Sequence, residues 1–378
     1  MANDYGNGTD FANLAGDMNL RFIGITEALE MTLNMGASDL HITVGREPMI
    51  RVDGALRPLP GATVWSAEMT DRELRKIFSP AKLLEFEGKL ELDMAYTGPD
   101  STRYRVNIYR QQGFIGVAFR VLPSRIKSLQ ELGMPADLAV FSSLPRGLVL
   151  VTGPTGSGKS TTLAAMINDI NENRPDHIMT IEDPVEFLHT GKRAMIHQRE
   201  VGSDTTSFSE ALKHVLRQDP DVILIGEMRD LETISAALTA AETGHLVFAT
   251  LHTQDAGQTI DRIIDVFPPH QQAQVRTQLA ASLKGVVCQN LVPMAGGPGR
   301  AVATEVLHMT PAISNMIREN KTFQIRSAMQ SGRDLGMHTM DQSLASLVKA
   351  GKITRETGAD AAHDFTLFDQ LMSAPNYS

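Results

Sequence analysis

A glycine-rich stretch near the middle of the chain has the residue types and spacing of a phosphate-binding loop. It reads Gly153-Pro-Thr-Gly-Ser-Gly-Lys-Ser160 and fits GxxxxGK[ST]. Glycines let backbone N–H groups converge on phosphate oxygens, and a following helix adds a favourable dipole. In this pattern Lys159 reaches the β- and γ-phosphates of a nucleotide, and the Ser160 hydroxyl binds Mg²⁺. The candidate nucleotide-binding residues are Gly153, Pro154, Thr155, Gly156, Ser157, Gly158, Lys159, Ser160 and Thr161.

The sequence on either side predicts the strand and the helix that such a loop requires. Residues 147–152 form a continuous apolar run, typical of a strand that is buried on both faces. After the loop, apolar residues recur at helical spacing until Arg174-Pro175. An ordinary glycine-rich turn is the alternative, and these flanking elements count against it.

Polar side chains suited to ATP hydrolysis follow three further apolar runs. The runs and the side chains after them are 178–181 with Glu182, 222–225 with Glu227, and 246–251 with His252. Strands alternate with helices in this part of the chain, which indicates a parallel sheet. Ligands bind beyond the carboxyl ends of strands in such sheets. We therefore expect Glu182, Glu227 and His252 to lie at the same edge as the phosphate loop.

Each of these side chains has an expected role in catalysis. Glu227 is the candidate general base that orients water. Glu182 is assigned to the metal and water network, so that Ser160 and Glu182 are the candidate Mg²⁺ ligands, partly through water. His252 is placed to sense the γ-phosphate, and Arg229 is interpreted as a second sensor.

Other polar residues near these runs are interpreted as structural. Asp221 precedes the strand that Glu227 follows, so the two lie about 20 Å apart at roughly 3.3 Å per residue. Asp221 therefore cannot act at the same phosphate. Asp230 is predicted to cap the next helix. His245 is expected at the opposite end of its strand from His252, and for it both a structural and a catalytic role remain open.

Composition and charge exclude several classes of protein. The chain has 378 residues and a formal net charge of −9, which argues against binding a nucleic-acid duplex through a basic surface. The single cysteine, Cys288, excludes an intrachain disulfide framework and a multi-cysteine zinc site. No apolar run approaches 18 residues, so no transmembrane helix is predicted.

The residue pattern changes along the chain and predicts two domains. Residues 1–20 are interpreted as a flexible leader, 21–123 as a small α+β domain, 124–130 as a linker, and 131–378 as the nucleotide-binding domain with helices toward its C-terminus. Six basic and no acidic side chains lie within residues 101–127. This local excess predicts an acidic or phosphate partner, and a solvated strand face is the alternative.

Four segments together resemble the secretion-ATPase superfamily of type II and type IV secretion systems. They match its Walker A, Asp, Walker B and His boxes at Gly153–Thr161, Thr180–Glu186, Asp221–Asp230 and Thr243–Thr253. Within it the chain is most similar to the type IV pilus retraction ATPases, from about residue 21 to about residue 355. The resemblance implies an α/β fold with a PAS-like N-terminal domain and a RecA-like P-loop ATPase domain. It also implies that ATP and Mg²⁺ are used to drive pilus retraction and twitching motility.

The same resemblance implies partners and further site residues. It implies a homohexamer at the cytoplasmic face of the inner membrane, an inner-membrane pilus platform protein as partner, a PilU-like paralogue as a further partner, and no nucleic acid. Arginines of the N-terminal domain approach the nucleotide phosphates in this family, and the candidates here are Arg105 and Arg120. The segment Ala312–Glu319 resembles one that retraction requires, with departures at Ser314 and Met316.

Three other functions remain as alternatives. The chain could be a PilU-like accessory retraction ATPase or a related conjugative or secretion ATPase. A RecA-like DNA translocase is a different class, and the acidic composition counts against it. A non-catalytic nucleotide-binding scaffold is difficult to reconcile with Lys159, Glu182, Glu227 and His252 all being present.

Overall fold

The described part of the chain forms two units. The computed structural model describes residues 20–52, 54–100, 102–122, 125–297 and 299–374. The predicted leader therefore lies outside the described residues, except for Leu20. The chain divides into its two units between residues 124 and 125, and each unit has a hydrophobic core of its own.

The first unit is an antiparallel sheet of six strands with three helices packed against it. Its elements are α1 (Ile25–Asn34), β1 (Asp39–Thr43), β2 (Met49–Val52), β3 (Ala55–Pro58), α2 (Ala67–Ile77), α3 (Pro80–Lys89), β4 (Glu91–Thr97), β5 (Arg103–Gln111) and β6 (Phe114–Val121). The strand order is β3-β2-β1-β6-β5-β4.

Side chains alternate across this sheet, with period two along each strand. On β6, Val117 and Phe119 are fully buried in the core, whereas Arg120 is exposed. On β5, Arg105 is exposed as well and lies directly opposite Arg120 in the register. The two arginines therefore share the face that points away from the core.

The second unit is a mostly parallel sheet of seven strands. Its elements are α4 (Ala139–Ser142), β7 (Gly147–Thr152), α5 (Lys159–Asn173), β8 (His177–Glu182), β9 (Met195–Glu200), α6 (Phe208–Val215), β10 (Val222–Ile225), α7 (Leu231–Glu242), β11 (Leu246–Leu251), α8 (Ala256–Asp265), α9 (Pro269–Ser282), β12 (Leu283–Pro293), β13 (Arg300–His308), α10 (Pro311–Arg318), α11 (Ile325–Ser331), α12 (Met340–Lys349), α13 (Arg355–Ala361) and α14 (Phe365–Ser373). The strand order is β13-β12-β7-β11-β10-β8-β9, and only β13 is antiparallel to its neighbour.

Helices cover both faces of this sheet. Leu148 and Leu150 of β7 pack into one core cluster, and Val149 and Val151 pack into the cluster on the opposite face. Because both faces are buried, every position of β7 is apolar or small, and the strand reads as a continuous apolar run.

The predicted α/β fold class is confirmed. Several elements were not predicted from the sequence, among them α3 and β4 in the first unit, β9 at the edge of the large sheet, and the hairpin of β12 and β13. Within the described residues, no helix is long and apolar enough to cross a membrane.

Candidate active site

The phosphate loop joins β7 to α5 in the way that its sequence predicts. β7 ends at Thr152, and α5 begins at Lys159. Three glycines of the loop adopt positive φ, at 136° for Gly153, 80° for Gly156 and 90° for Gly158. Residues with a Cβ rarely adopt these angles, and the resulting curve lets backbone N–H groups face one point.

Lys159 lies across the mouth of this loop. Its Nζ donates to the carbonyl oxygens of Gly153 at 2.8 Å and Pro154 at 3.0 Å. Burial lowers the pKa of Lys159, and the charges of Glu227 and Glu186 partly oppose that shift. The ammonium group is therefore near both the loop and the carboxylate of Glu227. At this position its positive charge would stabilise a bound phosphate group.

Four neighbouring parallel strands end at the edge that carries the loop. They lie in the order β7, β11, β10 and β8, and their registers are continuous. Glu182 is the last residue of β8, Glu227 comes two residues after β10, and His252 follows β11 directly. The topology thus brings together the strand ends that the sequence analysis selected.

Glu227 is the centre of a hydrogen-bonded cluster at this edge. Its Oε1 lies 2.9 Å from Nε2 of His252, and its Oε2 accepts from Nη2 of Arg229 at 2.6 Å. Burial alone would raise the pKa of Glu227, but Arg229 and His252 outweigh it, so the pKa lies below its ordinary value. The carboxylate is therefore ionised near neutral pH and can accept a hydrogen bond or a proton from water.

Glu182 is enclosed by neighbouring side chains, although the sequence predicted that it follows the strand. Because β8 continues through it, Glu182 is a strand residue, and its Oε1 accepts from Thr180 Oγ1 at 2.6 Å and Gln198 Nε2 at 3.1 Å. Burial raises the pKa of Glu182. Gln198 lies on β9, a strand that the sequence analysis missed, so no local signal pointed to this partner.

The described residues include no group of three or more His, Cys, Asp or Glu side chains that could hold a metal ion by themselves. The residues present nevertheless suit Mg²⁺, which usually takes one or two protein groups together with substrate phosphates and water. Ser160 is exposed in the first turn of α5, next to the glycine cradle. A metal role for Ser160 and Glu182 stays a prediction.

The residues interpreted as structural lie where that interpretation places them. Asp221 accepts from the backbone N–H of His177 at 2.8 Å, at the amino end of the sheet. Asp230 caps α7 by accepting from the backbone N–H of Thr233 at 2.8 Å. The ring of His245 contacts the carbonyl oxygen of Ala240.

The candidate arginines belong to the first unit. Arg120 donates from Nε to Oδ1 of the buried Asp39 at 2.8 Å, and Arg105 is its register partner on β5. A role of Arg105 or Arg120 at the nucleotide stays a prediction.

Replacing Gly153 with alanine should destroy the phosphate loop. An added Cβ would lie 2.2 Å from the backbone oxygen of Gln289 and 2.8 Å from Oγ of Ser157, at a φ that already disfavours alanine. We expect ADP affinity, measured by calorimetry, to fall at least tenfold, a loss of about 1.4 kcal/mol. Gly351→Ala is the matched control, because Gly351 also has positive φ but has open space around it. Unchanged ADP affinity in Gly153→Ala would show that the loop does not need this glycine.

Comparison with known proteins places this site in a family. The family model for type II/IV secretion system proteins matches residues 20–357, and the chain belongs to this family. The type IV pilus retraction ATPase PilT of Pseudomonas aeruginosa is 50% identical over 338 residues, covering 89% of this chain and 98% of PilT.

Two further similarities concern a paralogue and a solved structure. The type IV pilus ATPase PilU of the same organism is 40% identical, with 91% of each chain covered. The crystal structure of the pilus retraction motor PilT with bound ADP superimposes with a TM-score of 0.87 at 44% identity, covering 92% of this chain and 99% of that one. The resemblance drawn from the four sequence boxes is confirmed.

Proposed function

We propose that this protein is an ATPase motor that drives type IV pilus retraction, and thereby pilus disassembly and twitching motility. The observation that carries the proposal is the 50% identity to PilT over nearly the whole length of that protein. The ADP bound to the similar solved structure supports a nucleotide as the ligand. The identity to PilU is ten percentage points lower, so the retraction motor is favoured over the accessory paralogue.

The described side chains suit hydrolysis of ATP at the edge of the sheet. Lys159 neutralises charge on the β- and γ-phosphates, and the loop N–H groups hold them. Glu227 orients a water molecule and accepts a proton from it. The water oxygen forms a bond to the γ-phosphorus as the bond between that phosphorus and the ADP oxygen breaks. Arg229 and His252 keep Glu227 ionised and in place. Ser160 and Glu182, partly through water, would hold Mg²⁺, which would supply charge neutralisation when bound.

The assembly and location follow from this function. A retraction motor acts as a homohexamer on an inner-membrane pilus platform protein, at the cytoplasmic face of that membrane, with a PilU-like paralogue as a further partner. The segment that resembles the one required for retraction lies on α10, which covers its residues 312–318. Ser314 donates to the carbonyl oxygen of Ala280, and Met316 packs against the core, so both departures are accommodated within the fold.

Deletion of the gene in its host tests the proposed function. We expect the deleted cells to carry many surface pili and to lose twitching. The wild-type gene should restore twitching and the normal number of pili. Cells without pili would indicate an assembly motor instead. Normal twitching would indicate an accessory role.

A separate measurement on the purified protein tests the alternative of a DNA translocase. Strong stimulation of the ATPase by single-stranded DNA would support that alternative.

A further inference from the structure

A buried glutamine on β12 lies directly against the phosphate loop. In the parallel pairing of β12 with β7, Cys288 is the partner of Thr152, the last residue before the loop. Gln289 is therefore level with the start of the loop, and its side chain is 2% exposed. Burial of an amide is unfavourable unless it makes hydrogen bonds, so its contacts indicate why it is there.

The carboxamide of Gln289 holds one peptide group of the loop. Nε2 donates to the carbonyl oxygen of Ser157 at 2.6 Å. An added Cβ on Gly158 would lie 3.1 Å from the same Nε2, so the amide also packs against this glycine. Because the partner is a carbonyl oxygen, only the nitrogen of the carboxamide can face it. The contact therefore needs a donor at this position.

This hydrogen bond fixes the direction of one N–H group of the loop. In a trans peptide the C=O of Ser157 and the N–H of Gly158 point in opposite directions. Gln289 holds the carbonyl on the β12 side, so the N–H of Gly158 points away from β12. A Cβ added to Gly153 would lie 2.2 Å from the backbone oxygen of Gln289. The strand β12 therefore packs against Gly153 as well as against Ser157 and Gly158.

We propose that Gln289 is a positioning residue of the nucleotide site, which holds the phosphate loop in its binding conformation through the Ser157 carbonyl. This inference rests on the proposed function and adds to it a residue from outside the four family boxes. Without the donor, the loop spends less time in the binding conformation, and apparent nucleotide affinity falls by the same fraction. Glu227 and His252 follow other strands and remain in place, so the hydrolysis step itself is little changed.

Two variants of similar size test this role. Gln289→Met and Gln289→Leu each remove the donor and leave an apolar side chain of similar size. Gln278→Met is the matched control, because the amide of Gln278 donates to Glu242 at an exposed position. The measurements are the Kd for ADP by calorimetry, KM and kcat for ATP, and Tm of the nucleotide-free protein.

We expect Kd for ADP and KM for ATP to rise about tenfold in both Gln289 variants, as for loss of one buried hydrogen bond. We expect kcat to change less than about threefold, and Gln278→Met to behave as wild type. Wild-type Kd in either folded variant would overturn the proposal, even if Tm falls, since Gln289 would then only fill the core. If the wild-type protein neither binds ADP nor hydrolyses ATP, the proposed function itself is wrong.

Discussion

Lys159→Ala is expected to abolish ATP hydrolysis. The Nζ of Lys159 is held by the carbonyl oxygens of Gly153 and Pro154, at the point where the phosphates must enter. Its removal takes away a positive charge that would offset the negative charge of the β- and γ-phosphates. We expect phosphate release to fall by about three orders of magnitude, which is within the range for loss of one group that stabilises transition-state charge.

The matched control for this substitution is Lys192→Ala. Lys192 is exposed and pairs with Glu172 on the surface, so its loss removes a lysine without touching the loop. Its rate of phosphate release should equal that of the wild type. Near-normal turnover in Lys159→Ala would remove Lys159 from the mechanism.

Glu227→Gln should retain ATP binding and stop hydrolysis. The amide has nearly the same shape, but it carries no charge and cannot take a proton from water. It also loses the ion pair with Arg229 and the contact between the carboxylate and Nε2 of His252. We expect turnover to fall about 100-fold or more, and purified protein to contain ATP rather than ADP after incubation with ATP.

Glu232→Gln is the control for Glu227→Gln, since Glu232 is an exposed carboxylate in the first turn of α7. Its ATPase rate should match the wild type. A fully active Glu227→Gln variant would place the base elsewhere. Glu182 is the next candidate, although its raised pKa and its two hydrogen-bond donors make it a weaker acceptor for water.

The sequence predicted the active edge well because its elements carry local signals. β7, β10 and β11 are buried on both faces, so each reads as an apolar run with the same bounds that the structure shows. β8 differs by one residue at each end, because a strand's hydrogen bonds can continue through polar residues such as Glu182. Apolar periodicity cannot detect such ends.

The features that the sequence did not reveal depend on pairing between distant residues. Gln289 acts on Ser157, 132 positions earlier in the chain, and only the pairing of β12 with β7 brings them together. Gln198 reaches Glu182 in the same way, through β9. Neither glutamine belongs to a motif, so its type and position alone gave no reason to select it.

A structure of the protein with ADP and Mg²⁺ bound tests the central claim most directly. We expect the β-phosphate of ADP within hydrogen-bond distance of Lys159 Nζ and of loop N–H groups, with Glu227 and His252 lining the space beyond it. ADP bound at another part of the chain, or a phosphate that leaves Lys159 on its loop carbonyls, would contradict it.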